Sequence, residues 1–323
     1  MKKKLSTSLL AFIAYFAFAT NATSVLPQSE VAIRNPAGCK QCIIVCEQSQ
    51  HRILIIEMPQ KRVIWEWQAK NSNIDSRHTQ WFDFPDEAKP VYNSNYILIT
   101  ASGGGVALIR LSDKKAVFYA YAGGNPHSAE ILPDGNIVSA SSTGNFLTLF
   151  KTDTLGPPEN VISKSYPIID GHNVEWDKKR QVLWAGSGTQ LKAFTYHSDC
   201  RQPKLEIADS ITLPDNLHDL FPAYNEDALW LSTDSNVFKL NLSTKQFEAV
   251  SLTIPEHIKS VSSGPAGFSV IVIHPKEKWW TDTILDSRGE TVFTSKGLKI
   301  YKARWLLNNA FSYPENHAME LCF

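Results

Sequence analysis

Six basic residues recur along this chain at a near-constant interval, and they are the side chains best placed to do chemistry: Lys89, His127, His172, His218, Lys259 and Arg304. The steps between them are 38, 45, 46, 41 and 45 residues. Three neutral imidazoles that converge on a point can hold Zn2+, Mn2+ or a similar divalent ion and leave coordination positions open for a substrate. That reading makes His127, His172 and His218 metal ligands and leaves Lys89, Lys259 and Arg304 to pair with a carboxylate or phosphate. The plainer alternative is a wet channel with a polar lining, its histidines bonded to water and loop carbonyls.

Acids accompany the histidines. Glu130 and Glu175 each follow theirs by three positions, and Asp219 follows His218 directly. Three residues along a regular strand is an odd step, so Glu130 and Glu175 are expected on the opposite side, bonding between neighbouring elements. Asp219 reads as a turn acid or as an orienting partner for a histidine. Ser102-Gly-Gly-Gly105 lacks the following helix that a phosphate cradle needs and reads as a hairpin turn. Trp279-Trp280, on a polar stretch, reads as core or as a partly exposed indole platform for a sugar ring. No P-loop, His-Glu-x-x-His or Ser-His-Asp order is present.

The elements that must carry the slot are short strands. Asn125 to Phe150 holds one clear copy: a strand to Leu132, the turn Pro133-Asp-Gly-Asn136, a strand to Ser141, the turn Ser142-Thr-Gly-Asn145, and Phe146 to Phe150. The same order recurs around the other slots, and a mean step of 43 residues is that of a four-stranded propeller blade. Six slots predict an all-β, six-bladed β-propeller, with the inner strand of each blade lining a central channel. The N-terminal part offers three strands, Cys42 to Glu47, Arg52 to Met58 and Arg62 to Gln68, with no opening strand; the C-terminal part offers one orphan, Ile300 to Leu306. The first blade is therefore expected to be closed by the C-terminal strand, which leaves no open sheet edge. Trp184, Trp230 and Trp305 fall at strand positions that pack between blades.

Residues 1–19 carry three lysines, an apolar run and small residues at a cleavage point, the pattern of a secretory signal peptide cut there or as late as residue 22. Residues 20–41 are a lead-in and 42–323 the propeller. The expected location is periplasmic or extracellular, with no membrane span in the mature chain. A formal net charge of zero gives no reason to expect nucleic acid as a partner. Of the five cysteines, one must be free or paired outside the chain. Closure brings Cys322 towards Cys39 and Cys42, so a bridge from Cys322 to one of them is expected, with Cys46 left buried.

At Asn125-Pro-His-Ser-Ala-Glu-Ile-Leu-Pro-Asp-Gly-Asn, Gly171-His-Asn-Val-Glu-Trp-Asp and Leu217-His-Asp-Leu the chain resembles a family of secreted six-bladed propellers of unknown function frequent in Bacteroidota. Trp279-Trp-Thr-Asp and Tyr301-Lys-Ala-Arg-Trp305 extend the likeness over most of the mature chain. More distantly, histidines on successive blades look like the metal centre of propeller oligogalacturonate lyases. The chain is expected to be a monomer that binds or processes an anionic ligand, a small molecule or an oligosaccharide, in its channel. With one divalent metal ion it would be a lyase or hydrolase acting on acidic glycans. The rival is a non-catalytic scaffold with a merely solvated channel.

Overall fold

The computed structural model describes residues 36–152, 158–199 and 201–312. The signal-peptide reading, most of the lead-in, Cys200 and Cys322 lie outside the described residues.

Among the described residues, twenty-four strands form six antiparallel four-stranded sheets. The first blade runs outward from the channel as Ile300–Trp305, Cys42–Glu47, Arg52–Glu57 and Arg62–Trp67. The second comprises Pro85–Val91, Tyr96–Ala101, Gly105–Arg110 and Ala116–Tyr121. The third follows with Pro126–Ile131, Ile137–Ser141, Phe146–Phe150 and Ser163–Pro167, and the fourth with Gly171–Asp177, Val182–Ser187, Gln190–His197 and Lys204–Thr212. Leu217–Pro222, Ala228–Thr233, Val237–Asn241 and Gln246–Ala249 make the fifth. Ser260–Ser262, Ile271–Ile273, Thr283–Asp286 and Thr291–Thr294 make the sixth.

Six apolar clusters hold the ring together, one at each junction between blades. The strand Cys-Ile-Ile-Val-Cys-Glu explains how a sheet can serve two of them. Ile43 and Val45 pack towards the sixth blade, while Cys42, Ile44 and Cys46 pack towards the second. Both faces are dry, so the strand reads as a continuous apolar run rather than an alternation. Each fully buried isoleucine contributes about 1.5–3 kcal/mol. Trp184, Trp230 and Trp305 are buried in these layers as expected.

The closing strand pairs where it was expected: Ile43 stands opposite Trp305, Ile44 opposite Arg304 and Val45 opposite Ala303. One expectation needs correction. Cys39 bonds Cys42, not Cys322, because the turn before the strand brings their Cα atoms to 5.9 Å, an ordinary disulfide span; Cys46 is the buried free thiol. The second strand of the sixth blade begins at Ile271, and Phe268, ahead of it, is outside the pairing. Phe268 instead sits edge-on to Trp305, with ring centroids 4.7 Å apart.

Candidate functional site

Each inner strand carries an irregularity near its start, and the site follows from it. In the third, fourth and fifth blades the pairing register slips by one residue across His127, His172 and His218. In the second blade the same slip falls across Asp86, between Pro85 and Glu87. In the first blade it falls opposite Tyr301 and Lys302. In the sixth, Lys259 and Ser260 together face Ile273, the amide of Lys259 donating to its carbonyl at 2.8 Å. A bulge of this kind re-aims a side chain and changes the alternation of faces along the strand. The ring at one level is therefore Asp86, His127, His172, His218, Lys259 and Tyr301.

The three histidines do come together. The ring centroids of His127 and His172 are 4.9 Å apart and those of His172 and His218 are 6.0 Å apart, each pair edge to face. Tyr301 stands 5.9 Å from His127. All three histidines and Lys259 are half-buried. An acid attends each imidazole: Asp86 Oδ2 lies 3.8 Å from His127 Nδ1, Asp170 Oδ1 lies 3.2 Å from His172 Nδ1, and Asp234 Oδ1 lies 2.5 Å from His218 Nε2.

Lys89 and Arg304 are not at this level. They stand three residues further along their strands, where the altered alternation still directs them into the channel but one floor lower. Glu130 and Glu175 occupy the same position after their histidines, so they too face the channel, contrary to the regular-strand expectation. Lys89 Nζ is 2.6 Å from Glu175 and 3.5 Å from Glu130, and it donates to the carbonyl of Val174 at 2.7 Å. Arg304 is clamped by two acids. Nε and Nη2 donate to Glu87 at 3.1 and 2.7 Å, and Nη1 and Nη2 donate to Asp219 at 2.7 and 2.6 Å. Lys302 Nζ adds bonds of 3.1 Å to Glu87 and 3.0 Å to Asp219. Asp219 is thus neither a turn acid nor a histidine partner.

This layer is buried and closes the channel. Beyond it Ser312 Oγ donates to Glu130 at 3.0 Å and Ser94 Oγ to Asn308 at 2.9 Å, leaving a cavity of about 40 Å3 beside Lys89 and Phe221. Burial alone would raise the Glu87 carboxyl, but Arg304 and Lys302 outweigh it and hold the group well below the ordinary range. Burial raises Glu175 well above that range despite Lys89, and Glu130 adds to the rise. Asp86 is pushed up to about 8 by burial against the pull of Ser102 and Lys302. His127 is held well below its usual value by burial and by the neighbouring His172 and Lys302. At neutral pH His127 is a neutral imidazole.

The loops joining second to third strands and those leading into the next blade open on the histidine side. They bring exposed apolar groups to the rim. Trp279 is 47% exposed, stands edge-on to Trp280 at 5.0 Å, and donates its indole N–H to Gln48 at 3.1 Å. Gln48 in turn donates to Asp86 at 3.3 Å, and Ser102 Oγ does so at 2.8 Å. Tyr121 is 54% exposed and lies over Gly104, where an added Cβ would come within 2.3 Å of the ring and where φ is +105°. The Ser102 to Gly105 run is a turn between strands, as expected, and its glycine makes room for this tyrosine.

For a metal, the ligand atoms that converge belong to His218, Asp234 and His257, all within 4.8 Å of one another. Among the described residues this is the trio of His, Cys, Asp or Glu that meets that closeness. Asp86, Tyr301, Asp170, Asp234 and His257 were missed in sequence. One signal was available for two of them: taking Asp86 and Tyr301 as slots makes the steps 41, 45, 46, 41 and 42, and aligns Pro85-Asp86 with Pro126-His127.

Fold and site define a six-bladed β-propeller with a channel sealed by ion pairs and a polar, histidine-rich mouth. The chain belongs to the family of unknown function DUF6528, which it matches over residues 1–322. It is similar to a crystal structure of a protein of unknown function from Bacteroides caccae, at 15% identity and a TM-score of 0.57, covering 82% of this chain and 98% of that one. It is also similar to the Cps50 (Swd1) β-propeller domain of Myceliophteria thermophila, at 13% identity and a TM-score of 0.51 over 79% and 86% of the two chains. These likenesses concern the fold. No curated protein matches the chain.

Proposed function

We propose that the mouth of the sealed channel binds a sugar ligand carrying a carboxylate, and that the protein does so after export, in the periplasm or outside the cell. The observation that carries this is the convergence of His127, His172, His218 and Lys259, half-buried, above a floor closed by Arg304 and its partners. A concave site with a few convergent polar groups and an apolar rim suits a small ligand. Lys259 is the cation of the ring level, since Lys89 and Arg304 are held by acids one floor down. The ligand chemistry that fits is therefore one carboxylate rather than several. The imidazoles offer donors and acceptors to hydroxyls, and Trp279 and Tyr121 offer faces to a sugar ring. The Cys39 to Cys42 disulfide supports an oxidising compartment.

The test is calorimetric titration of the purified chain with oligogalacturonate and with a neutral galactose oligomer. The acidic oligomer is expected to bind more tightly. Lys259→Ala is expected to weaken it roughly ten- to a hundredfold, the worth of a hydrogen bond to a charged group. Equal affinity for both oligomers, or an unchanged Lys259→Ala variant, would sink the reading.

A further inference from the structure

One cluster at the rim has the chemistry of a coordination site and shares only His218 with the sugar site. His218 stands on the bulge that opens the inner strand of the fifth blade. Asp234 lies on the loop after Ala228–Thr233, and His257 on the loop that leads into the sixth blade. Three separate segments thus contribute one ligand atom each, and backbone bonds fix them to one another. The amide of His257 donates to the carbonyl of Asp234 at 3.0 Å, and the amide of Asp234 donates to the carbonyl of Asn216 at 3.1 Å. His257 is placed with φ of +56°, a left-handed backbone that the surrounding bonds must hold.

Charge and second contacts point the same way. Two imidazoles and one carboxylate make a donor set suited to a divalent first-row ion, and zinc takes such sets readily. Asn216 Nδ2 donates to Asp234 Oδ2 at 3.2 Å, which orients the carboxylate and leaves Oδ1 to face His218. Carboxylates that ligate metals are typically steadied in this manner. His218 and Asp234 are half-buried while His257 is exposed, so the trio has a protein side and an open side. Three protein ligands with an open position is the arrangement of a site that accepts water or substrate as the fourth ligand.

We infer that His218, Asp234 and His257 form a binding site for a single divalent transition-metal ion, of which Zn2+ is the type, at the rim between the fifth and sixth blades. The ion would replace the direct His218 to Asp234 contact. The inference stands on the trio's geometry and does not depend on the sugar ligand.

The experiment uses the purified full chain stripped with a chelator and titrated with Zn2+ alone by calorimetry, without any glycan. One ion per chain is expected, together with a rise in melting temperature that grows with free zinc. His257→Ala and Asp234→Asn are each expected to weaken zinc at least tenfold, and exposed His257 makes its variant the safer one to fold. His127→Ala, which removes an imidazole of the three-histidine set, is expected to retain zinc. No stoichiometric binding, or binding that survives His257→Ala, overturns the inference. Loss in His127→Ala with retention in His257→Ala overturns it too and moves the ion to the histidine triad.

Discussion

Arg304→Met separates a structural role from a ligand role for the most heavily bonded side chain in the channel. The guanidinium makes four hydrogen bonds of 2.6 to 3.1 Å to Glu87 and Asp219, all buried. Methionine fills a similar length but leaves two carboxylates facing one remaining cation, Lys302. Breaking a buried pair by removing one partner costs about 3–5 kcal/mol, because the abandoned charge stays desolvated. That is a large share of the roughly 5–15 kcal/mol by which domains are stable. The expected readout is a fall in the urea midpoint with an unchanged slope, and a melting temperature lower by about 10 °C. Adding Glu87→Gln to Arg304→Met should recover part of the loss, since it removes one of the orphaned charges. A variant that melts with the parent would refute the pin, more so if it lost ligand binding instead.

Asp86→Asn tests the raised carboxyl at the channel mouth. A group whose folded pKa of about 8 exceeds its unfolded value contributes stability that is full below about 4 and is lost as pH rises to about 8. The variant should gain on the parent by about 1.3 kcal/mol per pH unit between about 5 and 7, by half that slope at pH 8 and by nothing further well above it, followed by denaturant unfolding at each pH; a constant difference would refute the shift. Deleting residues 300–323 should abolish soluble, cooperative folding, since it removes the inner strand of the first blade and the partners of Glu87 and Asp219; a sharp melt near the parent's would contradict it. The Cys39 to Cys42 bridge closes only a tiny loop, so reducing it should lower stability by no more than about 2 kcal/mol, measured by unfolding with and without reductant. A loss well above that would require a further bridge.

Blade number and ring closure were legible because both are counting arguments. A repeat near 43 residues, three strands without an opener and one strand without a successor admit one arrangement. The histidine level was legible too, since His127, His172 and His218 fall on equivalent bulges. Lys89 and Arg304 were placed in that ring by charge, whereas the pleat places Asp86 and Tyr301 there. The distinction turns on one extra residue per strand, which restores the inward direction at the third position and so creates a second, deeper tier. Period-two reasoning has no means of seeing a bulge, and for that reason it also sent Glu130 and Glu175 outward. Asp234 and His257 come from loops that the repeat does not constrain, so only the fold brings them to His218.

Glu87 and Arg304 are 217 residues apart in the chain, and Lys302 lies on the same last strand. At the pace of synthesis, about 5–20 residues per second, the two cations of this pair of acids emerge roughly 10 to 40 s after Glu87 does. Throughout that interval Glu87, and Asp219 once it too has emerged, have no Lys302 or Arg304 to receive them, and the central bolt cannot be shot. The last strand is thus a timing device: it delays the finished ring until it has itself emerged, and until then the first blade keeps an open sheet edge.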